Sequence, residues 1–373
     1  MENISIKDIT FEVLEFDINS NSDNDLLNFN NDLLQKKSNF ENLTLFHNPI
    51  YAHNLNIFKK CEKSCYVILK FKGLLISYMP YGIFKINDNL YEISLGNMSI
   101  PFPAIDNKFL FLSEEIFNFI IERLSQFYKD ISIGQIKFYI YPQQINIMNM
   151  LNSNNFLKKI ANSIQFEEFI HTVNLTNELD KIYKNISSRN YRFYKNNFSK
   201  YNFEIIKCDS SKLRDEYDNI INWIKLFDKS EVKVDYNKAY ELLKNGNAVL
   251  YKLLTADKKE VLGIKVVALH DNYAHDLILK INHNYKNKNI SLMLNIFAIN
   301  DLKNLNIDIF DLGLDSKYSS LFRTVTSKQV AISKNKELLT KDKLRIILFT
   351  KYTNLKFAKE KMLNNVSSFF TGE

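Results

Sequence analysis

His275 and Asp276, adjacent in the last third of the chain, are the residues whose types best suit proton transfer. An imidazole titrates near neutrality, and a carboxylate is a common alternative base. They lie in a run, Tyr273–Ile281, that reads as a strand, where consecutive side chains point to opposite faces. At most one of them therefore reaches a given cleft, and a His on a strand surface is equally an ordinary residue. A second feature is Arg189, Arg192 and Lys195, which recur at a spacing of three among Tyr191, Phe193 and Tyr194. Such a basic face with aromatics could grip a nucleotide-linked sugar, a lipid-linked phosphate or a tRNA end; it is equally a solvated linker helix. Cys61, Cys65 and Cys208 are too few for a disulfide framework. With 6 His in the chain, a metal site has no support, and none is expected.

The elements that must position these residues follow from periodicity. The first half begins with an alternating stretch, Thr10–Phe16, and helices near Asp25–Lys36 and Ile50–Lys60. Strands are expected at Tyr66–Phe71, Leu74–Met79, Gly82–Ile86 and Leu90–Leu95. A helix capped by Ser113 spans Glu114–Lys129, followed by a strand at Gln135–Tyr141, a short helix at Gln143–Asn152 and a long strand at Ile164–Leu175. The second half repeats the order after a polar helical region, Asn177–Lys200. A strand is expected at Phe203–Cys208, helices at Lys212–Phe227 and Asp235–Lys244, and strands at Ala248–Thr255, Glu260–Leu269 and Tyr273–Ile281. Then come a helix at Asn289–Leu305, a strand at Asp308–Leu312, a short helix at Lys317–Thr324 and a strand near Lys328–Ser333. The single Trp223 is expected in the core. Two copies of one mixed α/β domain account for this: 1–170, 171–350, and a helical tail over 351–373.

Composition bounds the function. The chain has 373 residues, 46% of them hydrophobic and 24% charged, which is the globular range. A net charge of +7 suits an anionic small molecule or an acidic surface without demanding nucleic acid, and DNA is not expected as a partner. No apolar run is long and uncharged enough to span a membrane, and the opening residues lack a signal-peptide pattern. Few cysteines and no such segment lead us to expect a cytoplasmic protein, and heavy Asn, Lys and Ile usage suggests an AT-rich bacterial source.

The doubled element order is that of the GNAT acyltransferase fold, and a tandem of two resembles the FemAB-like branch of that superfamily. The local stretches carrying the resemblance are FHNPIYAHN (46–54), ISYMPYGIFK (76–85), which is similar to paired strands broken by a proline, SIPFPAI (99–105), NISSRNYRFYKN (185–196) and FDLGLDSKYSSLFR (310–323). The resemblance implies an acyl donor seated where the helix after the fourth strand opens, because free N–H groups and the helix dipole attract an anion. In the first half that helix opens with Glu114 and Glu115. In the second it follows Lys280, Ile281 and His283–Asn289, with no acid in its first turn, so Lys286, Asn287, Lys288 and Asn289 form the expected anion cradle. The second domain is therefore expected to bind the donor and the first to be structural or acceptor-side. That stretch holds no glycine, unlike the usual acyl-CoA loop.

The resemblance also places His275 and Asp276 toward the acceptor and puts Asp311 and Gly313 at the cleft edge. Tyr318 falls where many such enzymes protonate the departing thiolate. Arg323 falls where FemAB-like proteins carry a Phe-Lys pair. The activity it implies is transfer of an acyl group from acyl-CoA or a similar thioester to an amine of a sugar nucleotide or other cell-surface precursor. Two alternatives stand beside it: an aminoacyl-tRNA-dependent ligase acting on a peptidoglycan precursor, and an inactive binding module of the same fold.

Overall fold

The structure, a computed structural model, describes residues 6–16, 24–40, 43–54, 61–95, 100–144, 163–209, 213–227, 236–282, 284–285, 289–316 and 325–371. The chain divides into two compact units. The first is Met1–Glu168 with Arg345–Asn364; the second is Phe169–Leu344 with Asn365–Glu373.

The first unit contains β1 (Ile9–Phe16), α1 (Asn24–Lys36), α2 (Pro49–Asn54), β2 (Cys61–Phe71), β3 (Leu74–Asn87), β4 (Leu90–Ser94), the short β5 (Ile100–Pro101) and β6 (Ala104–Ile105), α3 (Ser113–Phe127) and β7 (Ile133–Ile140). Its sheet runs β1-β2-β3-β4-β7. Along this order only the β4–β7 pair is parallel. Helix α3 buries Ile116, Phe117, Ile120 and Leu124 against Val67, Leu69, Ile136 and Phe138, the one-sided stripe its 3.6-residue period requires. Ser113, expected as its cap, sits in the first turn and donates to the Leu110 carbonyl. The two strands expected around Pro80 are one, β3. Proline is tolerated because β3's second neighbour changes there, from β6 at Ser77 and Tyr78 to β4 from Gly82 onward. Cys61 and Cys65 lie on β2, both buried, and burial pushes the Cys65 thiol up to about 12.

The second unit follows the same order. It contains α4 (Leu179–Asn185), α5 (Ser188–Asn197), β9 (Tyr201–Ile206), α6 (Leu213–Phe227), α7 (Tyr236–Lys244), β10 (Ala248–Thr255), β11 (Val261–His270), β12 (Tyr273–Ile281), α8 (Ile290–Asn304), β13 (Ile309–Leu314) and α9 (Ser327–Glu337). Its strands run β9-β10-β11-β12-β13, and again only the last of these pairs, β12 with β13, is parallel. Helix α8 is apolar on nearly every side, and Met293, Leu294, Ile296, Ile299 and Leu302 are fully buried. Gly263 sets its approach to the sheet. A Cβ there would come within 2.6 Å of Ile290 Cγ2 and 3.0 Å of Leu294 Cδ1, so only glycine lets the first turn of α8 lie this close to β11.

Each sheet is completed by a strand that sequence order assigns elsewhere. β8 (Ser163–Asn174) pairs through Ile170–Asn174 with β13 of the second unit. β14 (Lys343–Tyr352) pairs through Ile347–Tyr352 with β7 of the first. The strand expected at Lys328–Ser333 is instead helix α9. Its only apolar run, Val330–Ile332, is too short to separate strand from helix, and a capping box between Thr326 and Gln329 decides for the helix. The chain ends in α10 (Leu355–Thr371). Among the described residues no helix is long and apolar enough to cross a membrane.

Candidate functional site

In the second unit β12 and β13 pair only at Tyr273↔Ile309, Ala274↔Phe310 and His275↔Asp311, although β12 continues to Ile281 and β13 to Leu314. Each strand carries an extra residue just past that last rung. The β11–β12 register slips at Val266/Val267, leaving Leu277 unmatched, and the β13–β8 register slips between Asp311 and Gly313, leaving Leu312 unmatched. Such bulges bend and twist a strand, and Gly313, with φ +87°, takes a backbone conformation that favours glycine. The two strands therefore splay. The gap opens into a cavity of about 380 Å³, walled by Asp276, Leu279 and Lys280 of β12, Leu312 of β13, the start of α8, and side chains of α5, α6 and α9.

The corresponding place in the first unit is closed. β4 ends at Ser94, and Ile100–Pro101 takes its position beside β7, pairing with Phe138 and Tyr139. The Phe102 N–H then donates to the Tyr139 carbonyl at 2.9 Å. Glu114 and Glu115 stand in the first turn of α3.

Among the described residues the cavity is electropositive around one engaged acid. Asp276 Oδ2 lies 2.6 Å from the Nζ of Lys265, whose side chain is 0% exposed. Burial depresses the Lys265 ammonium below its ordinary value, and the charge and hydrogen bond of Asp276 oppose the shift. Lys336 of α9 reaches the same cavity, its Nζ donating to the Leu314 carbonyl at 3.2 Å. Burial also lowers its pKa, while Asp276, Asp311 and Asp315 pull the other way. Lys280 and Lys328 complete the basic lining. Helix α8 opens at Asn289, whose left-handed backbone (φ 47°, ψ 41°) turns the chain into the helix, and its first turn holds no acid. The leading N–H groups of a helix lack intrahelical acceptors and carry the positive end of its dipole. Two acceptors in the wall, Asp276 Oδ1 and Asn295 Oδ1, are buried without a hydrogen-bond partner among the described residues.

On the other face of β12, His275 Nδ1 lies 3.1 Å from Asp311 Oδ2 at the last rung before the splay. Asp311 also accepts from the Tyr273 hydroxyl at 2.8 Å and the Gly313 N–H at 2.6 Å. Burial would raise the Asp311 carboxyl, but His275 and these bonds outweigh it and hold the group below the usual carboxylate range. A neighbouring cluster joins buried His171 to Asp315 (3.2 Å), which Lys343 also contacts at 2.5 Å. Burial lowers the His171 pKa; Lys343 and His171 overcome burial at Asp315 and lower its own.

The sequence-derived candidates thus separate. Asp276, Lys280, Ile281 and Asn289 line the cavity; His275, Asp311 and Gly313 form the apex beside it. Lys286, Asn287, Lys288, Tyr318 and Arg323 lie outside the described residues. Arg189 and Arg192 line a shallow groove on α5 with Phe193 and Asn196, whereas Lys195 sits over the Tyr191 ring. Asn190 of the same helix faces the cavity. Trp223, expected in the core, also lines it. Sequence reasoning missed Lys265, Lys336, Lys328 and Asn295. Lys265 had a signal, a lone charge within the apolar run VLGIKVVAL; the others had none. Among the described residues no group of His, Cys, Asp or Glu could hold a metal ion.

No protein-family model matches the sequence, and no curated protein matches it. Solved structures do. FemX superposes with a TM-score of 0.59 at 8% identity, over 94% of this chain and 100% of that one. L-PGS from Bacillus licheniformis does so with a TM-score of 0.54 at 11% identity, over 93% and 96%. The DUF2156 domain assigned to a lysylphosphatidylglycerol synthetase of Agrobacterium fabrum gives 0.53 at 11% identity, over 94% and 97%. Identities this low speak to fold alone, and the fold they share with this chain is the FemAB-like, tandem-GNAT fold.

Proposed function

We propose that the protein is an acyltransferase that moves an acyl group from acyl-CoA or a similar thioester to the amine of a sugar nucleotide or other cell-surface precursor. The observation that carries this reading is the splay of β12 and β13 beside the acid-free opening of α8, set against its filled counterpart in the first unit. A cavity of about 380 Å³ is large enough for an acyl group and its thioester arm, and the carrier's phosphates would meet the α8 dipole and Lys280. Amide N–H groups of such an arm would satisfy Asp276 Oδ1 and Asn295 Oδ1. The first unit, with its notch closed, takes the structural role.

In this reading the acceptor amine attacks the thioester carbonyl, a C–N bond forms and the C–S bond breaks. The amine approaches from the His275 face of the splay, and His275, held by Asp311, removes the ammonium proton directly or through water. The Lys336 ammonium stabilises the tetrahedral oxyanion, where a fixed cation in a dry site is worth far more than in water. The same cationic surroundings favour the neutral, nucleophilic form of the amine. Tyr318 remains our candidate for protonating the departing thiolate and Arg323 for holding phosphate.

A second reading keeps the site and changes the donor to an aminoacyl-tRNA. It is favoured by the absence of glycine from Asn282 to Asn289 and by the Arg189–Arg192 groove. Thermal-shift and transfer assays with CoA thioesters and with charged tRNA separate the two. Stabilisation by CoA esters, with no salt-sensitive RNA binding, supports the first reading; the reverse supports the second. No transfer with any donor would leave a binding module.

A further inference from the structure

We infer that the cavity selects a transferred group whose tail is uncharged and apolar, and rejects one that ends in a cation. This deepens the transferase reading and rests on it. The apolar part of the wall includes Trp223 and Ile224 of α6, Leu279 of β12, Leu312 of β13 and Leu339 beyond α9. Its uncharged polar residues, such as Asn190 and Asn335, can hydrogen-bond a group but cannot neutralise a charge. Among the described residues the wall sets three lysines, Lys280, Lys328 and Lys336, against one carboxylate, Asp276. That carboxylate is already engaged at 2.6 Å by Lys265, which is fully buried and cannot turn to solvent. Asp276 thus has Lys265 against it and Lys336 nearby, so the acid that would attract an ammonium is already occupied by the protein's own cations. A cationic tail would enter a partly desolvated site among like charges, which disfavours it. An aliphatic tail removes apolar surface from water at no electrostatic cost.

Trp223 is the chain's one tryptophan and lines the cavity, so its emission reports occupancy without turnover. The probes are a hexanoyl amide of acetylcysteamine type, which cannot be hydrolysed like a thioester, and the same molecule bearing a terminal ammonium. We expect saturable quenching or shift by the neutral probe, and at least about tenfold weaker binding of the cationic one. Lys328→Glu, on the exposed side of α9, should narrow that gap about tenfold by supplying an unpaired acid. Equal binding of both probes, or tighter binding of the cationic one, overturns the inference. Acyl transfer is measured in parallel. Turnover without discrimination removes only the selectivity, whereas no binding of either probe together with no turnover removes the transferase reading as well.

Discussion

Asp276→Asn isolates the buried charge at the centre of the site. In the parent, the Lys265 ammonium has Asp276 at 2.6 Å and no exposure to solvent. Without that carboxylate the folded protein must either keep a bare buried ammonium or release its proton. Release at pH 7 costs about 1.36 kcal/mol for each unit below the ordinary lysine value of about 10.4, or roughly 4.6 kcal/mol, which caps the penalty. Breaking one side of a buried pair generally costs about 3–5 kcal/mol, so the expected loss is close to that cap. The loss should shrink as pH rises. Lys265 is depressed in the folded state, so between its folded value and the unfolded one the unfolded chain binds more protons, and stability climbs with pH. Removing Asp276 extends that window downward, with a limiting slope of about 1.4 kcal/mol per unit. Denaturant unfolding followed by Trp223 emission, at pH 7 and near pH 9.5, measures both quantities. A variant within about 1 kcal/mol of the parent at pH 7, or one with an unchanged pH slope, would refute the pairing. Lys265→Met combined with Asp276→Leu should recover most of the loss, because two apolar groups leave no charge unpaired.

Three further outcomes follow from the site. Asp311→Asn should cost about 2 kcal/mol or more near neutrality, since it weakens three hydrogen bonds to a buried carboxylate. Because that carboxyl is held low, its contribution is present above the unfolded value of about 3.9 and lost as pH falls through the folded one; the variant's acid-unfolding curve should be correspondingly flatter. Lys336→Met keeps an apolar stem in place, so stability should change by less than about 1 kcal/mol while the transfer rate falls about a hundredfold; equal rates would take Lys336 out of the chemistry. Gly313→Ala forces φ +87° on a residue with a Cβ and puts that carbon 3.1 Å from Lys336 Nζ. A loss of about 1–3 kcal/mol in denaturant unfolding, with impaired transfer, is expected; a neutral result on both would show that the β13 turn does not set the lysine.

The order of elements was legible because periodicity records which face of each segment is buried. Helix α3 shows this well: Ile116, Ile120 and Leu124 recur at the helical period and are among the residues it buries. His275 and Asp276 were likewise separable by strand alternation into opposite faces, which is how they lie. Pro80 was misleading, since a proline reads as a break wherever the neighbouring strand is unknown. Lys328–Ser333 failed for a related reason: three adjacent apolar residues carry no period, and the capping hydrogen bonds of Thr326 and Gln329 settled the conformation.

By itself the amino-acid order determined the two copies of a mixed α/β unit, their helices, and the charge difference between Glu114–Glu115 and the opening of α8. Tertiary structure alone decided that β8 and β14 each complete a sheet in the other half's unit, that Ile100–Pro101 closes one notch while bulges at Leu277 and Leu312 open the other, and that Lys265 and Lys336 converge on Asp276. The physical reason is one of range. Burial of a face is written in neighbours three, four or two residues apart, whereas the partners of β8, β14 and Lys336 lie tens to hundreds of positions away, where only the packed chain brings them together.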